Sequence, residues 1–472
     1  MQDGVAQIYQ IDRLKETVRL AAGLDAQKRL TDEAIARAVQ VLERFGERLR
    51  SFHPDRVRAV ATNTFRVARN TADFLPAAEA ALGFPIEVIA GREEARLIFT
   101  GVAHTLPPSP HKRLVVDIGG GSTEIIIGKG FEPGPMASLY MGCVSYSRQF
   151  FADGTVDDYQ MRLAEIAARR EVEGIAKQYR KTGWKEAYGS SGTAKALFAI
   201  LTGCGFSHEG ITRAGLAKLK ERIVRAGRVV PEDLPGIKHE RADVLPGGLA
   251  IMTAVFDELG INRMDTGDGA LRLGVLYDLL GRDDEHDKRD ETVRTFIKRY
   301  HVDANQAARV RRKALALFEP ISEDLPDRAH LRTALGWAAD LHEVGISIAH
   351  NAYHKHSAYI LENADMPGFS RADQQLMAVL VLGHQSKLSK LTDSVRSRGQ
   401  WLALLCLRLA VQLARRRESV DPLPFAASVK GDSIVLQVDA EWLAEHPLSD
   451  FTLRSEEAEW KKVGFSFELI ER

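Results

Sequence analysis

Between residues 31 and 51 apolar side chains recur every three to four positions, which predicts an amphipathic helix. The period then changes. VRAVAT (57–62) reads as a strand, a helix follows, PIEVIA (85–90) reads as a second strand, and EEARLIFTGVAH (93–104) returns to helical spacing. This is an alternating α/β pattern. LPPSPHKR (106–113) is proline-rich and polar, a boundary signal, and beyond it LVVDIGGGSTE (114–124) runs an apolar strand into three glycines before EIIIG (124–128) opens a second strand. That predicts a hairpin. A long helical stretch follows at about 157–180, then a strand leading into YGSSGTAKAL (188–197), and then MDTGDGALRLGVLYDLL (264–280), where an acidic glycine turn enters a helix. The charge run GRDDEHDKRD (281–290) reads as a solvated linker. From 291 to about 417 the pattern is helical and rich in histidine, and the last fifty-odd residues read as a small α/β cap with strands near SIVLQV and FSFELI. These shifts give four domains: 1–110, 111–282, 283–417 and 418–472.

Composition narrows the partners. Across 472 residues Lys and Arg (64) balance Asp and Glu (64), so no global field recruits nucleic acid, and a polyanion must be met by a local basic surface. Cys143, Cys204 and Cys406 are too few and too scattered for a disulfide framework or a zinc site, which suggests a reducing compartment. The opening residues carry no apolar signal region, and WLALLCLRLAVQLA (401–414) contains Arg408 and is too short to span a bilayer. A cytoplasmic location is expected, with peripheral attachment to a membrane left open.

The glycine hairpin carries the chemistry. Gly119, Gly120 and Gly121 strip side chains from a turn so that successive N–H groups can converge on an anion, with Ser122 and Thr123 adding hydroxyls. Because the loop enters a strand and no Walker lysine follows, dinucleotide-binding and P-loop fingerprints are disfavoured. A tight hairpin binding nothing is the plain alternative. Asp117 and Glu124 flank the glycines and offer hard oxygens for magnesium, or only hairpin-end charge. Gly189, Ser190, Ser191, Gly192 and Thr193 form a second small-residue loop ahead of a helix, either a phosphate contact or an ordinary cap. Asp268 is a cap first and a cleft ligand second. His342, Glu343, His350, His354, His356 and His384 raise a metal site in the helical region, against the alternative of buried, hydrogen-bonded histidines. Arg415, Arg416, Arg417, Lys387 and Lys390 line either a path for a long anion or a solvated face.

Taken together, VVDIGGGSTEIIIG, VIAGREEARLIFTGV, YGSSGTAKAL, GDGALRLGVLYDLL and LHEVG with HKHSAYIL resemble the exopolyphosphatase and guanosine pentaphosphate phosphohydrolase (Ppx/GppA) family over nearly the whole chain. The resemblance implies two α/β domains of the actin and heat-shock ATPase superfamily (ribonuclease H-like), an all-α HD-like domain, and a small C-terminal α/β domain. It implies Glu94 as catalytic base and Arg66 as a phosphate-facing cation, although a helix N-terminal acid and a surface arginine would be the plain readings of those two residues. It also implies magnesium as cofactor, potassium as a candidate activator, and a homodimer. The expected function is exopolyphosphatase, removing the terminal phosphate of inorganic polyphosphate. Guanosine pentaphosphate 5′-phosphohydrolase is the alternative, and a catalytically weak phosphate or nucleotide binder is a third.

The resemblance fails at one place. The family opens with a strand, an Asp, apolar, Gly-Ser-Asn-Ser loop and a second strand, and MQDGVAQIYQIDRLKETVRLAAGLD corresponds to the end of that second strand and the run into the next. The expectation is that Met1 is an internal methionine of a longer frame and that the chain as given lacks one of two phosphate cradles, leaving it unstable or weakly active.

Overall fold

A computed structural model describes residues 12–18, 20–283, 287–417 and 424–472. It divides into two compact units, residues 1–281 and 282–472. The expectation about the missing opening hairpin falls largely on residues 1–11, outside the described residues.

The first unit begins with α1 (Asp32–Leu49), β1 (Ala59–Ala61), α2 (Asn63–Val67), α3 (Thr71–Leu82) and β2 (Ile86–Val88). Thr31 caps α1 by accepting from Ala34 N at 3.3 Å. β1 and β2 pair in parallel, with Ala59 opposite Ile86 and Ala61 opposite Val88. Both strands are three residues long, shorter than the six-residue runs the sequence suggests. Val18, Leu42, Phe45, Val60, Phe74 and Leu82 line an apolar cavity of about 340 Å³ beside β1.

Next come α4 (Gly91–Ala103), β3 (Lys112–Ile118), β4 (Thr123–Lys129), β5 (Glu132–Leu139), α5 (Cys143–Phe150), α6 (Asp158–Thr182), β6 (Glu186–Gly189), α7 (Gly192–Gly203), β7 (Ile211–Thr212), α8 (Arg213–Ala226), α9 (Leu245–Leu259), β8 (Arg263–Thr266) and α10 (Leu271–Asp283). The strands form one mixed sheet in the order β5-β4-β3-β6-β8-β7. β3 lies inside it, antiparallel to β4 and parallel to β6, which is why Leu114, Val115 and Val116 form an unbroken apolar run. The glycine hairpin forms as expected. α4 is buried nearly all round because Ala95, Ile98 and Phe99 lie on Val115 and Ile126, so a helix assigned to the first domain covers a face of the second domain's sheet.

α4 and α10 touch backbone to backbone. A Cβ on Gly274 would overlap the Leu97 carbonyl oxygen, and one on Gly269 would overlap that of Gly101. Near the other end of α4 a buried ion cluster joins the same helices to the small sheet. Arg58 donates to Asp278 Oδ2 at 2.6 Å and to Glu87 at 3.0 Å, while Arg96 holds Glu93 through two bonds of 2.8 and 2.7 Å and also pairs with Asp278. The surrounding carboxylates raise both arginines above their ordinary range against the opposing effect of burial.

The second unit contains α11 (Lys288–Arg299), α12 (Ala304–Ile321), α13 (Arg328–Leu341), α14 (Tyr353–Asn363), α15 (Arg371–Gly383), α16 (Arg398–Leu413), β9 (Phe425–Lys430), β10 (Ser433–Val438), α17 (Ala440–Glu445), α18 (Pro447–Lys461) and β11 (Ser466–Glu471). The charge run at 281–290 is not simply a linker, since α10 continues to Asp283 and α11 begins at Lys288 with Asp287 accepting from Arg289 N. β9, which carries no clear signal in the sequence, pairs antiparallel with β10, and β11 adds in parallel. Phe425, Leu436 and Trp460 share one core with Leu335, Leu380 and Leu405, so the small sheet and the helices are packed as one body. Arg408, in the middle of α16, is buried against Glu456 (2.9 and 2.8 Å) and donates to the Gly383 carbonyl at 2.6 Å.

Candidate active site

The site starts at the first turn of α4. Ala90 is its N-cap and offers no side-chain bond, so the positive end of the helix is left for acids. Glu93 and Glu94 diverge from there. Glu93 turns to Arg96, whereas Glu94 Oε2 accepts from Arg66 Nη1 at 2.9 Å, and the same nitrogen donates to the Ile89 carbonyl at 3.0 Å. Arg66 is thereby fixed by backbone as well as by charge. Gly91 is the first residue of α4, and a Cβ there would strike Ser138.

The flanking acids of the glycine loop meet across the hairpin. Asp117 and Glu124 are direct cross-strand partners, a placement that sets two carboxylates side by side. Ser190 donates to Asp117 Oδ2 at 2.5 Å and Ser138 donates to Glu124 Oε1 at 2.7 Å. Removal from water raises the pKa of Glu94, Asp117 and Glu124. Arg66 partly offsets this for Glu94. Glu124 is pushed well up, first by burial and then by the charges of Glu94 and Asp117. Three acids therefore repel one another around one arginine, a charge excess that a cation would relieve.

The loop itself is oriented by α5. The Gly119 carbonyl accepts from Cys143 N at 2.9 Å, and the Gly120 carbonyl accepts from Val144 N and Ser145 N at 3.0 and 3.1 Å. Since each peptide is planar and trans, those carbonyls send the N–H groups of Gly120 and Gly121 the opposite way. Among the described residues the N–H groups of Gly120, Gly121 and Ser122 bond to no protein group. Next to them lies Asn63, whose buried Nδ2 has no partner and whose Oδ1 would collide with any Cβ on Gly121. No sequence motif singles out Asn63. It opens α2, the helix that also carries Arg66, so one short element touches both the loop and Glu94.

The hydroxyls of the two loops are engaged in the scaffold. Thr123 Oγ1 donates to the Met141 carbonyl at 2.6 Å and Thr193 Oγ1 to the Ile118 carbonyl at 3.0 Å, while Ser191 caps α7 by accepting from Ala194 N. What the second loop presents is backbone, and a further residue that sequence reasoning missed: Arg241. Its guanidinium lies where a Cβ on Gly192 would sit, and among the described residues it has no ion pair. No motif marks Arg241, which comes from a 3-10 turn nearly fifty residues beyond the loop. Asp268 pairs with Lys195 of α7 at 2.9 Å.

The histidines of the second unit behave differently. His342 Nδ1–H donates to the Ala339 carbonyl at 2.7 Å and His384 Nδ1–H to the Val381 carbonyl at 2.5 Å. Burial lowers the pKa of both, which favours the neutral ring. Glu343 is held by Arg417 at 2.9 Å, which also pairs with Asp303 and so leaves the proposed anion path. Among the described residues no three His, Cys, Asp or Glu side chains are placed to hold a metal, here or at the glycine loop. Also among them, no helix is long and apolar enough to cross a membrane.

Residues 1–283 match the Ppx/GppA phosphatase family and residues 288–457 match Ppx/GppA phosphatase, domain III. A guanosine-5′-triphosphate,3′-diphosphate pyrophosphatase of Pseudoalteromonas translucida (strain TAC 125) is 40% identical over 464 residues, covering 96% of this chain and 92% of that protein. Among solved structures, an exopolyphosphatase-like protein aligns with a TM-score of 0.51 at 25% identity over 58% of this chain and 92% of its own. An exopolyphosphatase from Cytophaga hutchinsonii ATCC 33406 has the same fold over 56% of this chain and 88% of its own, at a TM-score of 0.50 and 24% identity. With both family models matched in order along the chain, and a buried carboxylate, an arginine and a bare glycine loop gathered in its first unit, the protein belongs to the Ppx/GppA phosphatase family.

Proposed function

We propose that this chain is a guanosine pentaphosphate 5′-phosphohydrolase that releases the terminal phosphate of its substrate, with inorganic polyphosphate as the second reading. The observation that carries the chemistry is that α2 brings Asn63 to the unpartnered loop N–H groups and Arg66 to Glu94. The nucleotide is favoured over polyphosphate by the 40% identity, across nearly the whole chain, to a relative named for that substrate. The solved exopolyphosphatase-like neighbour supports polyphosphate.

Each residue takes one part of the reaction. The N–H groups of Gly120, Gly121 and Ser122, with the Asn63 amide, receive the equatorial oxygens of the terminal phosphate as charge spreads over them. Glu94 orients water in line and accepts its proton, and its raised pKa brings it closer to the operating pH. Arg66 holds that carboxylate and presents its guanidinium to the phosphate. The second loop and Arg241 receive the next phosphates of the chain. Asp117 and Glu124 would hold magnesium with water completing the shell, since two protein carboxylates are the usual share for that ion and the excess of buried acid fits a cation. Magnesium would supply charge neutralisation at the bridging oxygens.

Phosphate release from guanosine pentaphosphate and from long-chain polyphosphate, compared by kcat/KM, tests the reading. The nucleotide should be preferred by at least about tenfold. A reversed preference would make the protein an exopolyphosphatase, and binding of both without turnover would leave only the binder.

A further inference from the structure

The end of the large sheet away from the glycine loop is basic. Lys112 opens β3 and is the direct cross-strand partner of Lys129, the last residue of β4, a pairing of like charges that costs stability. Lys185, one residue before β6, donates its backbone N–H to the Lys112 carbonyl at 3.0 Å, so three exposed lysines stand at the ends of three neighbouring strands. Lys112 Nζ also donates to the Thr182 carbonyl at 3.1 Å, which sets the last turns of α6, with Lys177, Arg180 and Lys181 exposed, beside that row. The dipole of α6 accounts for cations at its own C-terminus but not for Lys129 or Lys185. Among the described residues none of these lysines forms an ion pair. Glu186, the acid of β6, is taken up by Arg113 and Ser109, and Glu132, in register with Lys129, leaves the cations in excess. Aromatic rings are interleaved with the charges. Phe131, two residues after Lys129, is 51% exposed with its ring 4.4 Å from that of His104, and Trp184, next to Lys185, is half-buried against the core.

We propose that this surface binds single-stranded nucleic acid without sequence preference. Cations follow the phosphates while aromatic rings take unpaired bases, the combination that recognises an open strand. A bilayer is the poorer match, because both rings are braced by the fold and can be stacked upon but not inserted. With the chain's net charge at zero, the local field supplies the whole of the attraction, so binding is weak and steeply salt-dependent. β3 is seven residues long, which puts Lys112 about 20 Å from the glycine loop. The oligonucleotide and the phosphate substrate therefore occupy separate places, and the inference does not rest on the proposed reaction.

Fluorescence anisotropy of a labelled oligothymidylate of about twelve nucleotides tests this, with a Kd of about 10 μM expected at low salt. Lys112→Gln, Lys129→Gln and Lys185→Gln combined should weaken binding at least about tenfold and lower the slope of log Kd against log salt by about 2, three contacts at about 0.7 each. The same variant should keep its Tm, since it loses a repulsion, and its phosphate release. An abasic deoxyribose phosphate chain of equal length should bind at least about fivefold more weakly than oligothymidylate, because it keeps the charge and loses the stacking. No binding up to about 100 μM at low salt, a triple variant that binds as tightly as the parent, or equal affinity for the abasic chain would each overturn the proposal. Capture by vesicles of phosphatidylcholine and phosphatidylglycerol, lost in the triple variant and with no response to the oligonucleotide, would assign the surface to a membrane instead.

Discussion

Glu93 and Glu94 are adjacent in α4, both buried, and each bonded to an arginine, yet they belong to opposite kinds of charge cluster. On the Glu93 side, Arg58 and Arg96 share Asp278 and each holds a further carboxylate, so every charge has a hydrogen-bonded partner. On the Glu94 side, three acids face one arginine, and among the described residues the nearby loop N–H groups and the Asn63 amide have no protein acceptor. The first arrangement is complete within the protein. The second leaves donors without acceptors and acids in excess, which is the arrangement the proposed reaction needs, and that difference distinguishes the two clusters more sharply than burial or residue type.

Breaking the closed cluster should give the largest effect. Asp278→Ala leaves Arg58 and Arg96 without their shared acid and should cost about 3–5 kcal/mol in stability, read from urea unfolding. On the open side, Glu94→Gln should leave the fold and substrate binding intact while lowering kcat by at least about a hundredfold. In the unmodified enzyme kcat/KM should rise with pH through a group titrating above the ordinary 4.5 of Glu94, an acid limb that the variant loses. Arg241→Ala removes a cation without touching the base, so KM should rise about tenfold with a smaller change in kcat.

Glu124→Gln sharpens the contrast with the smallest change and the opposite sign for stability. Its folded pKa lies well above 4.5, so the folded state binds more protons than the unfolded one between those values and loses stability as pH rises through that window. Above it the neutral variant should melt ~2–4 °C higher than the unmodified chain, while metal-dependent turnover falls. A lower melting temperature would show that Glu124 is already paired like Glu93.

Much of this fold could be read from local pattern. The hairpin at 114–128, the helix at 31–51 and the helical run after 291 come from periodicity and glycine placement, which act within a few residues. β9 escaped because FAASVK has little alternation and is fixed by pairing with β10. The all-round burial of α4 escaped because a helix covering a sheet from another part of the chain leaves no local mark. Of the site, Asp117, Glu124 and the glycines were visible as a motif, whereas Asn63 and Arg241 depend on which distant loop each one meets. The engagement of Thr123 and Thr193 in the scaffold could not be read either, since a hydroxyl in a loop is equally suited to phosphate or to carbonyl.

The crossing of α4 and α10 behaves as a lever. At most helix contacts a change in one side chain is absorbed by neighbouring rotamers, but where Gly101 meets the Ala270 carbonyl and the Gly274 amide there is no side chain to yield. Any bulk added there must be taken up by moving the whole of α4. Glu94 lies seven residues from Gly101, about 10 Å along the axis, so a tilt of roughly ten degrees at that fulcrum would swing its carboxylate nearly 2 Å. A displacement of half that size at a reacting group is enough to cost about a hundredfold in rate. Methyl groups placed far from the phosphate, at glycines that touch no ligand, would therefore act on this enzyme as if they had been placed in its active site.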